Sequence, residues 1–444
     1  VQFIMSTEFA FRITRTKFRF EGNRCGFDPV YELGSLSENN VSIGARFLAA
    51  CSDHRLRVAA SDGLIRITYG ELHRLAENWA TSLLSQSDFR KGIHVGLYLK
   101  NSIHYLVAFY GTLLAGGVAI PLPACFSATR LDDYCRLAHV EYLVSRDDDH
   151  HPIHVACSLP GSRIAVSDSF QVQEFHSAAT DADRMAMMLF TSGSTGEPKA
   201  VMLSHRNVLS NCDSICRFLP VDFRERAGIV VPLCHALGNS VMQTHILSGA
   251  EIVFLGDSKF PTDQIEALKE SQCTSVTGVP ETFEGWLPVL RDQDLEFTAL
   301  RYVAVAGGRF VAAKALEMKT RIAPAKLFLM YGQTEATARL GWLPPDELDT
   351  FADTIGQAIP GVELRVLNEA GTTETECGEP GTLFARGDNV MLGYWNDPSA
   401  TNEVIINGWL KTGDRAFRRA DNRLVICGRQ TDEIKIQGFR FHPS

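Results

Sequence analysis

Leu189-Phe190-Thr191-Ser192-Gly193-Ser194-Thr195-Gly196-Glu197-Pro198-Lys199 interleaves hydroxyls with glycines and ends on a lysine. The backbone N–H groups of such a loop, together with its Ser and Thr hydroxyls, can wrap a polyphosphate. Glycine permits close backbone approach and left-handed dihedrals, and Lys199 brings a mobile positive charge. The spacing is not that of a Walker A loop, because no Gly-Lys-Ser/Thr follows four residues after the first glycine. Met185–Phe190 reads as a strand leading into the loop, and Ser204–Phe218 reads as the helix after it.

The same alternation continues outward on both sides. Upstream, a helix over Tyr69–Ser85 precedes a buried strand at Val95–Leu99, a helix at Ser102–Ala115 and a strand at Val118–Pro121. Downstream come strands at Gly228–Pro232, Ile252–Leu255, Ser275–Val279, Tyr302–Val305 and Lys326–Met330, with a helix through Val241–Leu247. Repeated strand–helix–strand units specify parallel α/β architecture. After about residue 354 the texture changes to short β-like runs, such as Glu363–Leu367 and Gly381–Phe384, separated by Gly, Pro and Asn turns. That pattern predicts a small barrel.

At 444 residues the chain exceeds the usual size of one hydrophobic core, so two or more packed subdomains are expected. Its 45% hydrophobic and 21% charged residues are ordinary for a soluble enzyme. A net charge of -9 argues against a general nucleic-acid binder, and no apolar run reaches transmembrane length. The 11 cysteines contain no CxxC pair. Cys212 and Cys216 share a helical face without the histidines a zinc site needs, so reduced thiols and a cytoplasmic location are expected. The opening Val1–Phe20 carries Arg12, Arg15, Lys17 and Arg19 against one acid, Glu8. It is compatible with a transit segment or with an edge strand.

Four further segments make chemical sense around one nucleotide. Tyr331-Gly332-Gln333-Thr334-Glu335 follows a strand, and the carboxyl ends of α/β strands are where ligands bind. Glu335 can hold Mg2+ against phosphates, Thr334 offers a hydroxyl to a phosphate oxygen, and the Tyr331 ring can stack on a purine. Ala306-Gly307-Gly308 closes another strand with a slot flat enough for adenine. Trp409-Leu410-Lys411-Thr412-Gly413-Asp414 places a carboxylate after an expected tight turn, where it can accept ribose hydroxyls; Arg429 can reach ribose or phosphate. Finally, Pro232-Leu233-Cys234-His235-Ala236-Leu237-Gly238 ends a strand in a partly apolar turn, where His235 can close the side of an acyl pocket.

Together these segments resemble the adenylate-forming superfamily of acyl-CoA synthetases, peptide-synthetase adenylation domains and beetle luciferases. The resemblance covers about Val41 to Pro443, with the motifs in the family's order. It implies that Thr191–Lys199, including Ser192, Gly193, Ser194, Thr195 and Gly196, is the pyrophosphate loop. It implies phosphate and Mg2+ roles for Thr334 and Glu335, ribose contacts for Asp414 and Arg429, and a hinge at Asp432. Ala200 departs from the family's usual glycine after the loop lysine.

The implied fold is α/β, with two stacked, mostly parallel subdomains at 41–184 and 185–353 and a small β-barrel at 354–430. An atypical leader and linker at 1–40 precede them, and 431–444 forms the hinge and the start of a C-terminal lid that is otherwise absent. The lid of the family carries a lysine that bridges acid and phosphate, and none is assignable here; slow adenylation by the chain as it stands is therefore expected.

The implied chemistry is ATP-dependent and Mg2+-assisted, with acyl transfer to coenzyme A or to the phosphopantetheine of an acyl carrier protein. No carboxylate falls in Leu237–Ser240 to hold an α-ammonium, which disfavours a plain amino acid as substrate. His235, Leu237, Val279, Ala306 and Gly307 form a small, mainly apolar set suited to a fatty or aryl carboxylic acid. A different class also fits: a non-catalytic nucleotide or acyl-adenylate binding module acting through a partner.

Overall fold

The computed structural model describes residues 41–63, 65–145, 181–192, 198–293, 295–368, 371–429, 434–436 and 439–441. Nine of its helices are α1 Ile43–Asp53, α2 Tyr69–Leu84, α3 Ile103–Leu114, α4 Ala128–Leu137, α5 His205–Cys216, α6 Ala236–Leu247, α7 Pro261–Glu270, α8 Pro280–Asp292 and α9 Ala312–Arg321. The strands begin with β1 Val58–Asp62, β2 Ile65–Thr68, β3 His94–Tyr98, β4 Val118–Leu122, β5 Tyr142–Val144, β6 Met185–Ser192 and β7 Pro198–Ser204. They continue with β8 Arg226–Ile229, β9 Glu251–Phe254, β10 Ser275–Gly278, β11 Tyr302–Val305, β12 Lys326–Tyr331, β13 Gly341–Leu343 and β14 Gln357–Ala358. The last set is β15 Val362–Leu367, β16 Gly381–Gly387, β17 Gly393–Tyr394, β18 Ile405–Ile406, β19 Trp409–Arg418 and β20 Leu424–Arg429.

Two mostly parallel sheets carry the fold. One has nine strands in the order β14-β13-β12-β11-β10-β8-β9-β1-β2, and the other has six in the order β17-β7-β6-β4-β3-β5. The sheets interleave the 41–184 and 185–353 segments. The β1–β2 hairpin joins the nine-stranded sheet beside β9, while β6 and β7 extend the six-stranded sheet beside β4. Sheet membership here follows pairing between buried apolar strands, which sequence position does not dictate.

A helical layer lies between the sheets. Its main apolar core draws on α1, α2, α3, α5 and α6 and on strands of both sheets. The composition of α3 explains its place: eleven of its twelve residues are buried, so it has no polar face to give to water. By contrast α7, α8 and α9 bury one stripe against the outer face of the nine-stranded sheet. Helix starts are fixed locally. Thr68 with Glu71 and Ser204 with Asn207 form reciprocal capping boxes, and proline opens α7 and α8.

The C-terminal sheet runs β15-β16-β19-β18 and is antiparallel. β19 pairs along its first part with β18 and along its second part with β20, so the sheet curls as a half barrel.

Two buried histidines make this core acid-sensitive. His205, 3% exposed, accepts the Ile43 amide at Nδ1 (3.2 Å), and burial with Arg184 nearby lowers its pKa to about 4. His245, packed against Tyr302 through Nε2 at 3.2 Å, is likewise lowered by burial to about 4. In the unfolded chain both take up protons near 6.5, so between pH 6.5 and 4 the unfolded state binds more protons than the native one. Stability is therefore full above pH 6.5 and lost as pH falls, by up to about 3 kcal/mol per histidine. Thermal melts should show Tm dropping across that window, with a shallower drop in His205→Gln; a flat profile in the parent chain would contradict this.

Candidate functional site

Every expected site segment before residue 354 lies at the carboxyl end of a parallel strand. Thr191 and Ser192 end β6, His235 follows β8, Val279 follows β10, Ala306–Gly308 follow β11, and Gly332–Glu335 follow β12. The nine-stranded sheet changes winding direction at β8, which has β9 on one side and β10 on the other. His235 and Val279 flank that switch point, the crevice where open α/β sheets bind ligands.

The phosphate-loop stem is the β6–β7 hairpin, in which Thr191 pairs with Lys199 and Ser192 with Pro198. Gly193, Ser194, Thr195 and Gly196 lie outside the described residues, as does Asp432. Lys199 Nζ stands 4.9 Å from the centroid of the Tyr394 ring. The Tyr394 hydroxyl in turn donates to Glu335 Oε1 at 3.0 Å. Glu335 belongs to a single 3-10 turn, Thr334–Ala336, and is only 9% exposed.

Further contacts hold that turn. Met391 N donates to Glu335 O (2.9 Å), and Asn389 Nδ2 donates to Ala336 O and Arg339 O (3.0 Å each). Thr337 and Ala338 take left-handed φ of 55° and 82°, folding the chain back under Gly332. A Cβ at position 332 would lie 2.1 Å from Ala338 O, so only glycine fits.

A second set of contacts starts from the same strand end. The Tyr331 hydroxyl donates to Asp414 Oδ2 at 2.6 Å, and Arg429 Nε donates to Asp414 Oδ1 at 2.9 Å. Burial, then the Asp414 charge, raises the Tyr331 pKa well above that of a free phenol. Asp414 was expected after a tight turn; it lies instead inside β19. Residues 412–414 bulge against β16 there, where Thr382 pairs with Arg415 and Phe384 with Lys411. Gly413 has φ +77°, which the bulge requires, and Asp414 pairs directly across from Arg429 on β20.

The expected pocket residues divide. Leu237 packs with Ala304 and Ala306 against β11, while His235 is exposed at the N-cap of α6. Gly307 has φ +90°, and Gly308 faces the Pro280 ring. Cys234 is buried with its thiol pushed up to about 12, as suits an unreactive packing residue.

Sequence reasoning passed over Tyr394, Asn389 and Arg339. The segment containing the first two is brought to Glu335 by pairing between β17 and β7, a contact across almost two hundred residues that no local signal carries.

No cluster of three or more metal-binding side chains occurs among the described residues. Mg2+ needs no such cluster, since it binds through one or two carboxylates with phosphate oxygens and water completing its shell.

Lys199→Ala should affect ATP use only modestly. The cation–π contact is worth about 0.5–1 kcal/mol and backbone donors of the loop remain, so KM for ATP should rise roughly two- to fivefold. Steady-state kinetics showing no change in KM or kcat would remove Lys199 from the phosphate site.

Thr334 and Glu335 at the end of β12, with Asp414 of β19 bonded to Tyr331 at the same strand end, fit the class of α/β nucleotide-binding proteins. More specifically, the chain belongs to the AMP-binding enzyme family, whose profile matches residues 47–395. It is 28% identical over 419 residues to a Rhodococcus jostii (strain RHA1) 3-[(3aS,4S,7aS)-7a-methyl-1,5-dioxo-octahydro-1H-inden-4-yl]propanoyl:CoA ligase, covering 87% of this chain and 79% of that one. It is 27% identical over 424 residues to a long-chain-fatty-acid–CoA ligase of Escherichia coli O157:H7, covering 85% and 75%. Among solved structures it resembles ATP-bound MatB of Rhodopseudomonas palustris, with a TM-score of 0.79, 25% identity, and 91% and 82% of the two chains covered. The o-succinylbenzoate CoA synthetase MenE of Bacillus subtilis shares the fold, with a TM-score of 0.82, 22% identity, and 91% and 82% coverage.

Proposed function

We propose that this chain activates a fatty or aryl carboxylic acid with ATP as an acyl adenylate, releasing pyrophosphate, and then passes the acyl group to coenzyme A. One observation carries the reading. The Lys199–Tyr394–Glu335 contacts and the Tyr331–Asp414–Arg429 contacts both start at the carboxyl end of β12, which supports one site for the phosphates and the ribose of a single nucleotide. Membership of the family supports it.

In the first half-reaction an oxygen of the acid attacks the α-phosphorus of ATP, and the bond to the β-phosphate oxygen breaks as pyrophosphate leaves. Two anions meet, so positioning and cationic charge must do most of the work. The β6–β7 hairpin and Lys199 hold the outgoing phosphates, Thr334 donates its hydroxyl to the α-phosphate, and Asp414 with Arg429 fixes the ribose. Glu335 would hold Mg2+, which when bound neutralises phosphate charge. In the second half-reaction a thiol sulfur displaces AMP from the acyl carbon, giving a thioester and releasing a proton.

Coenzyme A is favoured as acceptor because the curated relatives are CoA ligases. Leu237, Val279 and Ala306 supply the apolar wall beside the reacting carboxylate.

Product analysis with a panel of carboxylic acids tests the proposal. It expects acid-dependent AMP and pyrophosphate; ADP and phosphate, or nucleotide binding without turnover by any acid, would reject it.

A further inference from the structure

Arg339 is 1% exposed, and its Nε and Nη1 donors have no hydrogen-bond partner. Its backbone lies under Gly332 in the floor of the site, with its Cα 2.7 Å from where a Gly332 Cβ would stand. The guanidinium is directed inward, toward Cys212 on α5, His245 on α6 and Tyr302 on β11. None of these can balance it at neutral pH. Burial pushes the Cys212 thiol up to about 12, raises Tyr302 and lowers His245 to about 4, so all three are uncharged. Arg339 itself, lowered by burial to about 10, remains a cation.

A buried charge without a counter-ion is costly, and proteins ordinarily pair it. Ala304 on β11 and Ala306 just after it share a buried apolar cluster with Tyr302, so small side chains lie next to the ring beside Arg339. Two acceptors on the facing helices also lack partners, Asn211 Oδ1 on α5 and Ser240 Oγ on α6. A mainly apolar void of about 10 Å³, the size of a single water, lies beside these helices between Leu189, Leu203, Val208 and Ala236, with Cys212 and Ser240 also lining it.

We infer that Arg339 receives a second negative group of the substrate, so that the acid activated here is a dicarboxylic acid whose far carboxylate enters between α5, α6 and β11. The inference rests on the ligase reading for the near carboxylate and adds the class of acid. A neutral acceptor such as an amide or hydroxyl would satisfy the donors and leave the charge unbalanced. A carboxylate does both, through charge-assisted hydrogen bonds.

The test compares α,ω-dicarboxylic acids of increasing length with matched monocarboxylic acids and ω-amides, using pyrophosphate release by the parent chain and by Arg339→Met. The parent should favour one length of diacid over its monoacid, and Arg339→Met should shrink that kcat/KM ratio about a hundredfold. Its Tm should be unchanged or higher, because the substitution removes an unbalanced buried charge. Equal use of mono- and diacids by the parent, or a diacid preference that survives in Arg339→Met, would overturn the inference while leaving the ligase reading intact. If no acid were turned over, the ligase reading would fail, and thermal-shift binding of the same acids without ATP would still decide. Stabilisation by a diacid that is lost in Arg339→Met supports the arginine site, and its absence in the parent overturns it. Arg339→Gln provides a second variant of similar length should the methionine chain fail to fold.

Discussion

Glu335→Gln lowers acid-dependent pyrophosphate release by about two to three decades while the chain stays folded. Glutamine keeps an oxygen for the Tyr394 hydroxyl, which is 3.0 Å from Glu335 Oε1, so the packing of the 3-10 turn survives. What is lost is the negative charge proposed to hold Mg2+ beside the phosphates. Losing one preorganised electrostatic contact typically raises a barrier by ~2–4 kcal/mol, or roughly two to three decades in rate. The Mg2+ concentration giving half-maximal rate should rise together with the fall in kcat. Wild-type rate at unchanged Mg2+ dependence would strip Glu335 of this role.

Asp414→Ala produces the second large effect, acting on both nucleotide binding and stability. Asp414 is 3% exposed and accepts from both Tyr331 and Arg429. Removing the carboxylate takes an acceptor from the Tyr331 hydroxyl and from Arg429 Nε at a nearly buried position, which should cost about 3 kcal/mol of stability. The same carboxylate is the proposed acceptor of the ribose hydroxyls, so AMP affinity should fall by about one to two decades. Calorimetry and a denaturant melt on one preparation separate the two. Asp414→Asn restores an acceptor for Tyr331, and should recover more stability than AMP affinity. Unaltered AMP affinity in Asp414→Ala would take Asp414 out of the ribose site.

Much of this was legible in the sequence because it is local. Strands such as Tyr302–Val305 and helices such as Ser204–Phe218 announce themselves by apolar period, and the glycine- and hydroxyl-rich turns mark their ends. Contacts set by tertiary pairing were not. Tyr394 reaches Glu335 only because β17 joins β7, and the Asp414 bulge needs Gly413 opposite Leu383 on another strand. Arg339 was the least legible. A charged residue shortly after a turn ordinarily faces water, and its burial follows from the left-handed pair Thr337–Ala338, which turns the chain inward beneath Gly332. The assignment of β1 and β2 to the far sheet was equally hidden, since pairing of β1 with β9 joins residues separated by most of the first half of the chain.

The most direct measurement is a crystal structure of the chain with a non-hydrolysable acyl-adenylate analogue. The ribose hydroxyls should meet Asp414, the phosphate should meet Thr334, and the adenine should lie against Gly307–Gly308 beside Tyr331. Density for the nucleotide at any other place, with Asp414 still bonded only to Tyr331 and Arg429, would contradict a single adenylate site at the end of β12.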